Sequence, residues 1–215
     1  MLVLCSNGLT SQQLVQYISE KTARCQSAAL VVTADNIYKE HNYHVERCIR
    51  ELEALNLSVR TFDLDQEPAS RLLQFDVVEF IGGNPFYLLD SIRKHNAAPI
   101  LQEIAEKNVL IGWSASAFVF GPTLSLVNLY SPELNFLNLT DLAGLALTQL
   151  QVLPHYSKFL SKIAFFEETC AEYEQQNNIT VYRMNDGEGI VTDGSAITFL
   201  GDQIQSFYQR SRSIP

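Results

Sequence analysis

Four short stretches of this chain carry side chains that, brought together, would perform acyl transfer. The first is Gly112-Trp113-Ser114-Ala115-Ser116, which follows the apolar run Val109-Leu110-Ile111. A serine between small residues, where a buried strand turns sharply into a helix, has its oxygen exposed, and the free N–H groups of the helix start favour developing negative charge. The pentapeptide approximates the pattern G-x-S-x-G, with Ser116 in place of the second glycine. It also suits a plain helix cap, in which Ser114 only accepts a backbone N–H.

The second stretch is Ile81-Gly82-Gly83-Asn84-Pro85-Phe86. Paired glycines after an apolar strand let the backbone approach a ligand closely. An N–H from this loop, together with that of Ala115, would form an oxyanion hole. The alternative is an ordinary strand-to-helix turn with Pro85 at the first helical position. The third is Leu153-Pro154-His155-Tyr156. His41, His44 and His95 lie in polar or charged helical surroundings and are expected to be solvated. His155 follows an apolar stretch and sits beside a stiffening proline, which suits a general base whose position must be fixed. The fourth is Met184-Asn185-Asp186-Gly187-Glu188-Gly189-Ile190. A carboxylate from Asp186 or Glu188 would orient the imidazole and stabilise its charged form, although Asn-Asp-Gly is also strong turn chemistry.

The elements needed to position these groups are readable. Leu2 to Leu4, Ala29 to Val32, Leu57 to Phe62, Phe75 to Ile81 and Val109 to Ile111 read as strands. Helices are expected over 10–23, over 41–55 with apolar residues at 3–4 spacing, from near Pro85, over 97–106, and after Ser114. Alternation of this kind predicts an α/β fold: a mostly parallel central sheet with helices on both faces, with ligands beyond the carboxyl ends of the strands. The loops "SNGLTS", "GGNPF" and "GWSAS" would share that edge. Further on, 158–175 reads as helical. "ITVYRM", "GIVTDG" and "AITFLG" read as strands forming a small antiparallel extension joined by glycine-containing turns. No repeat or linker divides the chain, so a single domain over 1–215 is expected.

Composition narrows the function. The 215-residue chain has a formal net charge of −9 and is 47% hydrophobic. That argues against nucleic acid or an anionic membrane as partner. Four cysteines without C-x-x-C spacing suggest reduced thiols and no metal or disulfide framework, and hydrolysis by a serine would need neither a metal nor an organic cofactor. The amino terminus lacks a signal-peptide pattern and no run of ~18 apolar residues occurs, so a cytoplasmic location is expected.

The order serine, histidine, acid, with the "GGN" loop and the elbow, resembles one family: peptidase E, the α-aspartyl dipeptidases, with cyanophycinase as a relative. The markers are "SNGLT", "GGNPFYLL" against GGGNTF, "GWSAS…PT" against G-x-SAGA…PT, "LPHY" and "NDGEGI", spread over nearly the whole chain. The resemblance implies a fold akin to class I glutamine amidotransferases, with Ser114 as nucleophile, His155 as base, Gly83 and Ala115 as oxyanion hole, and Asp186 matching the third position better than Glu188. It implies a serine-type, dipeptidase-like enzyme acting on small peptides; a homodimer is a further, separate expectation. Alternatives are a non-catalytic member binding a peptide or metabolite, and an esterase or amidase using the same serine. Asn84, Ser125 and Asn128 are the substrate-binding candidates. The segment Thr123 to Tyr130 lacks the Arg and Asp that aspartyl dipeptidases carry there, so aspartate preference is expected to be weak unless an arginine from elsewhere, such as Arg183, takes over.

Overall fold

The computed structural model describes residues 1–201 and 204. Its centre is a seven-stranded sheet in the order β3-β2-β4-β5-β1-β8-β9, where β1 is Leu2–Cys5, β2 Ser27–Val31, β3 Ser58–Phe62, β4 Val77–Phe80, β5 Val109–Trp113, β8 Gly189–Asp193 and β9 Ala196–Leu200. The first five strands in that order are mutually parallel, and β8 and β9 add antiparallel to β1 and to one another. The inner parallel strands β1, β2, β4 and β5 are buried on both faces, as crossover helices demand, while the edge strand β3 leaves Ser58 and Arg60 exposed. Leu2, Leu4, Val78, Phe80 and Leu110 feed one buried cluster, while Val3, Cys5, Val77, Ile111 and Trp113 feed the other.

Helices α1 (Gln12–Lys21) and α2 (Val45–Glu53) follow β1 and β2; α3 (Pro85–Lys94) and α4 (Ala98–Lys107) follow β4. Cys48 and Leu52 of α2 enter the cluster containing Val3, and Leu88, Leu89, Leu101 and Ile104 enter the opposite one, so helices cover both faces. After β5 come α5 (Ala115–Phe120) and α6 (Ser125–Tyr130).

The second half departs from the expected pattern in two places. The helical stretch 158–175 is two helices, α7 (Tyr156–Leu160) and α8 (Phe166–Asn177), separated by Phe165 at φ 56°. Left-handed backbone at a non-glycine residue ends the α7 direction and starts a new one. The "ITVYRM" strand, β7 (Val181–Arg183), does not join the antiparallel hairpin. It pairs parallel with β6 (Gln151–Leu153) in a separate two-stranded sheet, Gln151 opposite Val181. The hairpin of β8 and β9, turning at Gly194, is the only part of the expected antiparallel set that forms.

The antiparallel sense of β8 matters for the site. Cys5, the last residue of β1, lies opposite Gly189, the first of β8. The loop entering β8 therefore emerges at the same sheet edge as the loops leaving β1, β4 and β5. Among the described residues no helix is long and apolar enough to cross a membrane.

Candidate active site

Ser114 connects β5 directly to α5 with φ 54° and ψ −114°, well outside the ordinary regions for an L-residue. Such strain persists only where surroundings over-determine it. Here its N–H donates to Cys5 O at 3.2 Å, and its neighbours must be small. A Cβ on Gly112 would stand 2.5 Å from the Phe120 ring, and one on Gly82 would stand 2.5 Å from the Trp113 ring and 3.0 Å from Ser114 Cβ. Ser116 occupies the elbow's second-glycine position without conflict: its hydroxyl is fully buried and donates to Ile81 O at 2.5 Å, tying α5 to the loop after β4.

The groups of the expected relay meet. His155 Nε2 is 3.0 Å from Ser114 Oγ, and His155 Nδ1 is 2.6 Å from Asp186 Oδ1. His155 is left-handed at φ 57°, which aims its ring back over the sheet edge from the start of α7. A residue without an expected role holds the arrangement: Ser6, at the end of β1, donates its hydroxyl to Asp186 Oδ1 at 2.8 Å and accepts the His155 N–H at 2.9 Å. The next residue, Asn7, accepts the Gly187 N–H at 2.9 Å, fixing the acid's turn. Burial pushes His155 below its ordinary range, and the Asp186 carboxylate offsets this only in part.

Glu188 has a different task. It is 6% exposed and accepts the N–H groups of Asn185 and Ile204 at 2.7 and 3.2 Å, bracing the turn rather than facing the imidazole. The N–H groups of Gly83 and Ala115 have no acceptor among the described residues; Gly83, at φ 151°, has no room for a side chain against Ala34 O.

Asn84, Ser125 and Asn128 lie elsewhere than expected. Asn84 caps α3, accepting from Phe86 and Tyr87 N–H at 2.9 and 3.0 Å, and donates to Leu134 O. Ser125 Oγ pairs with Thr123 Oγ1, and Asn128 Oδ1 accepts from Asn135 Nδ2. Their polar groups are consumed in folding local structure, and none lines the cavity beside Ser114. Arg183 is 3% exposed and clamped by Glu167 and Glu174, so it cannot swing towards that cavity.

The cavity, about 470 Å³, is walled by Asn7, Thr10, Gly82, Gly83, Ser114, His155 and Asp186 and by a second set not foreseen: Asn42, Tyr43, His44, Arg47, Trp113 and Lys158. The positive charge of the site thus comes from Arg47 on α2 and Lys158 on α7, not from the segment after the elbow. Arg47 donates to Glu51 at 2.7 Å and to Asn7 O at 2.9 Å, and its guanidinium lies 5.4 Å from the Trp113 ring centre. His44 meets Trp113 edge-on at 5.3 Å and is partly buried on the cavity wall. Burial, with the charges of Arg47, His155 and Lys158, lowers its pKa. Behind the wall, Trp113 Nε1 donates to Glu79 at 3.0 Å; full burial holds that carboxyl up to about 8. The apolar spacing of α2 was the legible signal, and it directed attention away from the polar face that fronts the cavity.

The model of peptidase family S51 matches residues 2–200. An uncharacterized peptidase of Listeria monocytogenes is 27% identical over 83% of this chain and 87% of its own. A peptidase E of Shewanella sp. strain W3-18-1 is 24% identical over 67% of this chain and 60% of its own. The crystal structure of a putative peptidase E protein from Listeria monocytogenes superposes with a TM-score of 0.72 at 27% identity, covering 92% of this chain and 96% of that one.

Proposed function

The chain belongs to peptidase family S51 and is a serine peptidase; from that starting point we propose that it hydrolyses short peptides, dipeptides among them, through a Ser114–His155–Asp186 triad and an acyl-enzyme. The observation that carries this reading is the continuous relay of 3.0 Å from Ser114 Oγ to His155 Nε2 and 2.6 Å from His155 Nδ1 to Asp186 Oδ1.

In the first half-reaction Ser114 Oγ attacks the scissile carbonyl carbon as its proton passes to His155 Nε2. The carbonyl oxygen becomes an oxyanion held by the N–H groups of Gly83 and Ala115. Asp186 keeps the proton on Nδ1, so that Nε2 is the basic nitrogen, and stabilises the imidazolium. The C–N bond then breaks, and His155 returns the proton to the leaving amine. In the second half-reaction water loses a proton to His155, attacks the acyl carbon, and the Ser114–acyl bond breaks with the proton returned to Oγ. Depression of the His155 pKa by burial keeps the base neutral at physiological pH.

A fluorophosphonate probe and a dipeptide panel test the proposal. Wild type should label at Ser114 and cleave peptides. Ser114→Ala should fold, resist labelling and lose turnover by several orders of magnitude. Labelling of wild type with hydrolysis of esters alone would transfer the reading to an esterase. Failure to label at Ser114 would end it.

A further inference from the structure

One charge on the cavity wall is not spent on the relay. Asp186 is committed to His155 and Ser6, and Arg47 to Glu51, Asn7 O and the Trp113 face. Lys158 lines the same cavity, and its ammonium has no hydrogen bond or ion pair with any described residue. Its charge is felt by both His155 and His44. A protein of formal net charge −9 thus presents, at the solvent-exposed side of its catalytic cleft, a lysine with no partner among the described residues.

The position of that cation relative to the chemistry is informative. Lys158 lies three residues after His155, in the first turn of α7, where the Phe159 N–H already closes onto His155 O at 3.1 Å. His155 is the group that must hand its proton to the leaving amine. When the leaving group is a single amino acid, that nitrogen is two bonds from its own carboxyl carbon, so carboxylate oxygens lie within ~4 Å of it. A flexible four-carbon arm carrying an ammonium, rooted one turn from His155, is long enough to reach that spot. A longer leaving peptide would put a neutral amide there instead.

Building on the triad reading above, we propose that Lys158 forms a subsite for the free α-carboxylate of a one-residue leaving group, which makes the cleft selective for dipeptides over longer or C-terminally blocked peptides. Asn42, whose Nδ2 keeps one N–H beyond its bond to Asp35, and His44 line the same cavity and offer further donors to the same anion. The carboxylate neutralises Lys158 when it binds, removing the charge that opposes protonation of His155 just as the imidazolium has to form.

The test compares Ala-Leu with its C-terminal amide in two readouts. In the first, wild type should show kcat/KM for the free acid about tenfold or more above the amide, the scale of a charge-assisted hydrogen bond. In Lys158→Met that ratio should collapse towards one, chiefly through KM, and Lys158→Arg should restore it. Thermal melts establish that each variant is folded. In the second, calorimetric binding to Ser114→Ala and to the Ser114→Ala, Lys158→Met pair should show the same dependence without turnover. Hydrolysis with no discrimination between acid and amide would overturn the subsite and leave the peptidase reading standing. Lys158-dependent binding of the acid without hydrolysis by wild type would do the reverse. Neither hydrolysis nor selective binding would remove both.

Discussion

Removing the Ser116 hydroxyl tests whether this elbow is built on its own terms. In Ser116→Ala the Ile81 carbonyl, deep in the core, loses the donor that now sits 2.5 Å away. Leaving a buried carbonyl short of a partner costs about 1–3 kcal/mol. Ser116→Gly, which recreates the glycine of the usual pattern, adds about 1 kcal/mol for backbone freedom in the α5 segment. For a chain of this size each kcal/mol moves the melting temperature by about 2–4 °C, so Ser116→Ala should melt about 2–12 °C lower and Ser116→Gly lower again. The same bond sets the loop of Gly82 and Gly83 against the start of α5, so kcat should fall by up to about tenfold as the oxyanion donors lose register. Differential scanning fluorimetry and dipeptide kinetics read both effects. An unchanged or higher melting temperature for Ser116→Ala would refute the structural role. A Ser116→Gly enzyme faster than wild type would show that the hydroxyl hinders the elbow instead of supporting it.

Asp186→Asn should cut kcat by about a hundredfold or more with little change in melting temperature, because an amide disturbs the tautomer of His155, whereas Glu188→Gln should lower stability more than turnover because its carboxylate bridges the Asn185 and Ile204 N–H groups; the opposite pattern in kcat would reassign the acid. His155 sits below its ordinary 6.5, so kcat/KM should fall on acidification through a midpoint under that value, and the stability contributed by the neutral ring should be full above 6.5 and decline below it as the unfolded chain takes up the proton first. An acid limb centred above 7 in the pH–rate profile would contradict this. Glu79 is raised from 4.5 to about 8, so the unfolded chain ionises first and wild-type stability should erode as pH climbs between those values. Urea melts of Glu79→Gln should show an advantage over wild type that grows from pH 5 to pH 8, and a constant difference would show that Glu79 is ionised in the fold.

The parallel core was legible because its strands are short continuous apolar runs separated by helical spacing, as in Val109-Leu110-Ile111 and the 3–4 pattern of Val45, Cys48 and Leu52. The turn at Ser114 was legible from a strand, a glycine and two small neighbours, but the same pentapeptide suits a helix cap, and only the structure shows that the Ser114 side chain makes no cap hydrogen bond. His44 also fronts the cavity, since polar surroundings in sequence do not separate a solvated face from one that fronts a cavity. β6 was hidden because three residues carry no period. Ser6 could not be read at all, since a hydroxyl in a turn gains meaning only from partners 149 and 180 residues away. Asn84 and Ser125 misled for the converse reason, their side chains satisfying backbone and neighbours within a few residues.

The placement of β1 between β5 and β8 has a consequence for the order in which the molecule comes alive. Contacts that close over such separations are the last to repay their loop-closure entropy, so they arrive late in folding. The segment bearing Asp186 reaches the sheet only when β8 docks against β1, and Ser6 can lock His155 and the acid only after that event. A chain still emerging from the ribosome, or one stalled with its five parallel strands assembled, therefore carries a serine without an oriented base. On the proposed relay, recovery of activity during refolding should report that final docking.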